Sequence, residues 1–289
     1  MERASLEVVD AGARTTFQDL GRPGYAALGV GASGAADLTS LRLANRLTAN
    51  DDAAAALEVV IGGLVLRALA TVRLALTGAP RPARTDTREV AMNTPFVMQR
   101  GETLHLGYGP RGVYTYLAVH GGFVAEQVLG SSSTDVLGGI GPAPIAIGDR
   151  LMVGPPLARA HLVDTAPVPD IADPVELHVL AGPRRDWFGP DALDDLCASP
   201  YTVMPASNRV ALRLSGTRIE RVIEAELASE GVVVGAVQIP PDGMPVVFGA
   251  DHPTTGGYPV LAVVVARDLG AAAQAAPGSL VRFRPARLR

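Results

Sequence analysis

Residues 58–78, EVVIGGLVLRALATVRLALTG, limit the fold more than any other stretch of the chain. Short apolar runs follow one another, broken by a glycine pair. Each run has the length of a strand, and none reaches the length of an ordinary helix. The same grammar recurs in TLHLGYG (103–109), VYTYLAVHGG (113–122), HVLAGP (178–183) and RVALRLSG (209–216). It continues in AVQIP (236–240), MPVVFGAD (244–251), PVLAVVVARD (259–268) and SLVRFRP (279–285). The turns between them draw on 32 Gly and 23 Pro in 289 residues, enough to punctuate many short strands. Short strands separated by such turns predict a mainly β protein built as barrels or sandwiches.

Helices are few. DLTSLRLANRL (37–47) sets Leu38, Leu41, Leu43 and Leu47 near one face, with Ser33 or Asp37 as N-cap. Asn50 or Asp51 is placed to cap a helix over DDAAAALE. GPDALDDLCAS carries Pro190 near a first turn, where proline is tolerated, and RDLGAAAQAAPG stops at Pro277-Gly278.

What the chain lacks bears on its chemistry. All 25 basic residues are arginine. Without lysine there is no Schiff base, no P-loop lysine and no attachment point for biotin or lipoyl groups. Anion recognition therefore falls to arginine forks and backbone N–H groups. A single cysteine, Cys197, excludes an internal disulfide and a CxxC metal site. The five histidines, at 105, 120, 161, 178 and 252, never stand at i, i+3 or i+4, so no local zinc pair exists. The net charge of −4 argues against a nucleic-acid partner. No apolar run is long enough for a membrane span, and MERASLEVVDAG lacks an h-region, so a cytoplasmic location is expected.

HLVDTAPVPDIADPVEL (161–177) combines three prolines and three aspartates without a period and reads as a linker. It divides the chain into domains at 1–165 and 174–289. The stretches 99–122 and 240–268 share an order of glycine turn, strand, Gly/Pro connection and apolar strand, a faint internal echo.

Four stretches concentrate polar groups among small residues. TTFQDLGRPGYAALGVGASGAAD (15–37) holds Gln18, Asp19, Arg22, Ser33 and Asp37. It reads either as a ligand cradle, with Asp19 and Arg22 able to pair, or as a capped turn before the first helix. LGSSSTDVLGG (129–139) is a Ser/Thr turn or an anion site. PASNRVALRLSG (205–216) puts Asn208 and Arg209 at a strand entrance, where a guanidinium clamps a carboxylate or phosphate, or forms a surface ion pair. DHPTTGGYP (251–259) has more turn chemistry than a plain hairpin needs. Gly256 and Gly257 with the Thr254 and Thr255 hydroxyls and Tyr258 form an anion nest or a long hairpin connection.

Taken in order, TTFQDLGRPG, SGAADLTSLRLANRL, ALEVVIGG, YLAVHGG, LGSSSTD, AGPRRDWF, SNRVALRL and QIPPDGMPVVFGADHPTTGGYP resemble one family. It is that of the biotin-dependent carboxyltransferase domain proteins, which includes KipA, the C component of 5-oxoprolinase, proteins labelled allophanate hydrolase subunit 2, and half of the urea carboxylase transferase region. The resemblance implies two cyclophilin-like β-barrel domains with a few short helices. It implies a KipI-like B subunit and an A subunit as partners, with ATP shared among them, in an amide hydrolase that opens 5-oxo-L-proline to L-glutamate. Alternatives within the family are a urea or amide carboxyltransferase half, with biotin on another chain, and a non-catalytic regulator that binds a KipI-like protein. Its motifs point to Arg209, Asp251 and Thr255 as catalytic positions. Gln18, Asp19, Arg22, Ser33, Asp37, Asn208, Gln238, Thr254, Gly256, Gly257 and Tyr258 follow as positions binding the small-molecule amide. No metal is implied. Two positions depart from the family pattern: Pro80 stands where an acidic residue usually follows LTGA, and Val210-Ala211 replace Met-Gly.

Overall fold

The computed structural model describes residues 5–155, 164–168 and 170–286. The chain forms two compact units. The first comprises Met1–Arg22, Ser33–Asp135 and Gly139–Asp170; the second comprises Pro23–Ala32, Val136–Gly138 and Ile171–Arg289. Part of the 161–177 segment, residues 161–163 and 169, lies outside the described residues. The mainly β reading is borne out, with short helices as its only helical content among the described residues.

The first unit lays its strands in two sheets. One has seven strands, in the order Phe123–Val124, Arg150–Val153, Ser5–Ala11, Leu64–Ala68, Thr103–Leu106, Ala83–Thr85 and Glu89–Val90. The other has five, in the order Thr15–Gln18, Ala56–Val60, Tyr114–Val119, Val72–Gly78 and Phe96–Met98. The chain passes from one sheet to the other at Ile61-Gly62-Gly63, where φ is +56°, +109° and +85°. A Cβ at Gly62 would sit 2.2 Å from the Gly107 carbonyl oxygen, so the glycine pair in the opening motif is required by close approach as well as by sign of φ. Leu6, Leu64, Leu66 and Leu104 from one sheet join Leu57, Leu74, Leu76 and Leu117 from the other in a single core. Each fully buried leucine contributes about 1.5–3 kcal/mol.

The five-stranded sheet is buried on its second face too. There α1 (Leu38–Leu47) packs with Leu41, Ala44, Asn45 and Leu47 inward. Asp37 is its N-cap, accepting from Ser40 N at 3.1 Å, which decides between the two capping residues the sequence offered. The expected helix over DDAAAALE does not form. Ala56, Leu57 and Glu58 enter the strand Ala56–Val60 instead. The asparagine meant to cap it is engaged elsewhere: Asn50 donates to Val119 O at 2.8 Å and accepts from Gly121 N at 2.8 Å. Alanine propensity is a weak preference that strand pairing on both sides of 56–60 overrides.

In the second unit seven strands close into a barrel: Val175–Ala181, Val260–Val264, Ala236–Gln238, Val246–Phe248, Ala211–Ser215, Tyr201–Val203 and Leu280–Pro285. Leu177, Val179, Leu212, Leu214, Val237, Val247 and Phe283 share its core with Leu196 of α2 (Ala192–Ala198) and Ala272 of α3 (Leu269–Ala273). Outside the barrel, Glu230–Gly231 pairs with Thr255–Gly256 as a two-stranded ribbon. No helix of the described residues is long and apolar enough to cross a membrane.

Candidate functional site

In the first unit, Asp19 follows the strand Thr15–Gln18 and lies buried. Its Oδ1 accepts from Gly21 N at 2.8 Å and from the Ser131 and Ser133 hydroxyls at 2.6 Å each; its Oδ2 accepts from Ser132 N at 2.6 Å. The serine run is thus a cradle for a carboxylate of the chain itself, which balances its desolvation with charge-assisted bonds. Arg22 does not pair with Asp19. Its Nη2 donates to Ser133 O and its Nε to Val128 O at 3.3 Å. The two opposite charges meet through Ser133, one on its hydroxyl and one on its carbonyl. Gln18 completes the knot, Nε2 donating to Thr134 O at 2.9 Å. One atom of each long side chain, Gln18 Oε1 and Arg22 Nη1, is buried without a partner among the described residues.

Ser33, at φ +52°, leads into a second buried polar group. Thr16, Glu58, Tyr116 and Thr77 stand in one row across four strands. Glu58 Oε2 accepts from Tyr116 OH at 2.7 Å and from Ala36 N at 2.9 Å, and Tyr116 OH accepts from Asp37 N at 2.7 Å. Burial first, then the charges of Glu58 and Asp37, hold the Tyr116 phenol well above its ordinary value. Glu58 and Tyr116 escaped the sequence reading. A glutamate at the head of the apolar run EVVI is the signal that was available.

In the second unit Arg209 and Asp251 form a bidentate pair, Nε to Oδ2 at 2.8 Å and Nη2 to Oδ1 at 3.0 Å. Oδ2 also accepts from Val136 N at 3.0 Å. Asn208 turns its side chain back on the chain, Oδ1 accepting from Val210 N at 2.8 Å. Both groups frame the strand entrance.

The stretch after Asp251 has a pinned backbone and free side chains. His252 N donates to Gly249 O, Val232 N to Thr254 O, Gln238 Nε2 to Tyr258 O at 2.9 Å, and Ile239 N to Pro259 O. Thr255 and Gly256 are held in the ribbon with residues 230–231. The surplus turn chemistry of DHPTTGGYP therefore builds a ribbon. Neither Gly256 nor Gly257 takes a positive φ, so the backbone does not form the alternating nest expected of them. The Thr254, Thr255 and Tyr258 hydroxyls make no hydrogen bond among the described residues, and Thr255 and Tyr258 are exposed. His252 stands with them. Its Nδ1 is 2.7 Å from Pro253 O and its ring stacks on Phe248 at 5.9 Å.

The structure therefore groups the expected positions by unit. Gln18, Asp19 and Arg22 gather around Ser131–Thr134. Ser33 and Asp37 lie at the head of α1. Arg209 and Asp251 are one pair, while Thr254, Thr255, Gly256, Gly257 and Tyr258 follow on the ribbon with Gln238 behind them. Among the described residues no cluster of His, Cys, Asp and Glu could hold a metal ion.

The model of the carboxyltransferase domain, subdomain A and B, matches residues 28–285. The chain is 35% identical to the C component of 5-oxoprolinase from Escherichia coli over 281 residues, 96% of this chain and 90% of that one. Among solved structures, TTHA0988 superposes with a TM-score of 0.90 at 34% identity, over 98% of this chain but only 56% of that one. The urea amidolyase of K. lactis gives a TM-score of 0.91 at 28% identity, over 99% of this chain and 19% of that one. By sequence and by architecture, this chain belongs to the carboxyltransferase domain family.

Proposed function

We propose that the chain is the C component of an ATP-dependent 5-oxoprolinase, opening 5-oxo-L-proline to L-glutamate with a KipI-like B subunit and an A subunit. The observation that carries this reading is likeness: the chain is 35% identical to a 5-oxoprolinase C component over 281 residues, against 30% identical to a urea amidolyase over 310. The chemistry agrees. Ring opening of a lactam develops charge on phosphoryl and tetrahedral oxygens, which donors in fixed positions stabilise. A lysine-free chain supplies such donors from hydroxyls, guanidinium groups and backbone. The free hydroxyls of Thr254, Thr255 and Tyr258 suit that work. The buried Arg209–Asp251 pair suits the holding of their loop. Gln18 Oε1 and Arg22 Nη1, a spare acceptor and a spare donor, suit a polar amide ligand.

The high superposition on a urea amidolyase supports a second reading, an amide carboxyltransferase half fed by biotin on another chain's lysine. The experiment is co-purification with the A and B subunits and measurement of 5-oxoproline-dependent ATP hydrolysis, with and without avidin. Turnover by the complex, insensitivity to avidin and no turnover by this chain alone are expected. A requirement for a biotinylated carrier would replace the first reading by the second. Partner binding without any turnover would favour a regulator of a KipI-like protein.

A further inference from the structure

His252 is held on every side but one. The Pro253 carbonyl 2.7 Å from Nδ1 can only accept, so Nδ1 carries a hydrogen and, in the neutral ring, Nε2 holds the lone pair. The ring face lies on Phe248, at 5.9 Å between centroids and 28° between planes. The backbone is tied at both flanks: Asp251 N and His252 N donate to Arg209 O and Gly249 O. The neighbouring Asp251 carboxylate is locked by Arg209. Gly249 permits this geometry, since a Cβ there would meet Arg209 O at 2.3 Å. Nε2 has no partner among the described residues, and the side chain is half-buried. A histidine kept only for packing has no need of a fixed tautomer with its basic nitrogen left free. A proton-transfer group needs both.

We propose that His252 is the acid–base residue of the 251–259 loop, an inference that rests on the hydrolase reading above. The amide oxygen first takes the terminal phosphoryl group of a nucleoside triphosphate, the diphosphate leaving, and Nε2 takes a proton from water as the water oxygen bonds to that amide carbon. The carbon–nitrogen bond then breaks, its electron pair goes to nitrogen, the proton on Nε2 passes to that nitrogen, and the acyl phosphate left behind is hydrolysed by a second water to the carboxylate and inorganic phosphate. The ring ends as it began, and Thr254 and Thr255, two and three residues further along the chain, supply hydroxyls to orient the water or the substrate.

The test uses the assembled complex and two variants. In His252→Asn the amide nitrogen occupies the place of Nδ1 and keeps the bond to Pro253 O while Nε2 is lost. In His252→Ala the ring is removed and leaves a space that free imidazole fills. Turnover of 5-oxoproline should fall about 10²–10⁴-fold in both. Assembly and melting should be unchanged in the Asn variant, and activity of the Ala variant should rise with imidazole concentration. Near-normal turnover of His252→Asn, or a loss in His252→Ala that imidazole does not relieve, would overturn the role and leave the hydrolase reading standing. A wild-type complex with no turnover of 5-oxoproline would overturn that reading and the role together.

Discussion

Replacing Arg209 by alanine removes the cation from a pair whose side chains are 2% and 0% exposed. The Asp251 carboxylate keeps its bond from Val136 N but loses both forks of the guanidinium. An uncompensated buried charge of this kind costs about 3–5 kcal/mol. At about 2–4 °C per kcal/mol for a unit of this size, melting should drop by about 6–20 °C. A surface arginine that merely waits for an anion would change stability by about 0.5 kcal/mol or less. The two roles are thus separated by nearly an order of magnitude. Urea unfolding of wild type, Arg209→Met, Asp251→Leu and the double variant closes the cycle. Each single change should be severe. The double variant, which removes both charges and fills the space with apolar groups, should recover most of the loss. A loss under about 1 kcal/mol for Arg209→Ala would refute the reasoning, because it would mean that Asp251 is solvated or protonated without cost.

Two further expectations follow from burial and backbone geometry. The Tyr201 phenol lies in the barrel core with no partner for its hydroxyl among the described residues and is pushed up to about 12 by burial, then by Cys197 and Asp195. Its folded value is raised, so its contribution is intact below the unfolded value near 10 and is lost as pH rises from there toward about 12, at roughly 1.4 kcal/mol per pH unit. Tyr201→Phe should be neutral or stabilising at pH 7 and should flatten that alkaline limb of the unfolding free energy; an unchanged limb would show that another group causes it. At the ribbon, Gly257→Ala meets nothing closer than Leu227 O at 3.5 Å and should be neutral or stabilising by up to about 1 kcal/mol. Gly256→Ala places its Cβ 2.6 Å from Gln238 Nε2 and must displace that amide from Tyr258 O, so it should cost about 1 kcal/mol. The opposite order in thermal melts would contradict the ribbon geometry.

The fold class and much of the chemistry were legible in the linear chain. Apolar runs of strand length between glycine and proline turns leave no other economical way to bury the backbone than sheets. The absence of lysine and of cysteine or histidine pairs closes whole classes of mechanism before any coordinate is known. Asp37 as a helix cap was legible because capping is settled within three residues. Other features depended on partners far along the chain. Asp19 finds its donors 112 to 114 residues away, and Arg209 finds its carboxylate 42 residues away. Arg22 sits beside Asp19 in sequence yet turns to carbonyls of residues 128 and 133. Glu58 is a strand residue only because Thr16 and Tyr116 flank it across the sheet. Composition and period act locally, so they determine which segments are strands and which reactions are unavailable. Burial and charge pairing are set by what the folded chain brings within about 3 Å, so only the tertiary structure decides which arginines are paired and which histidine nitrogen is free.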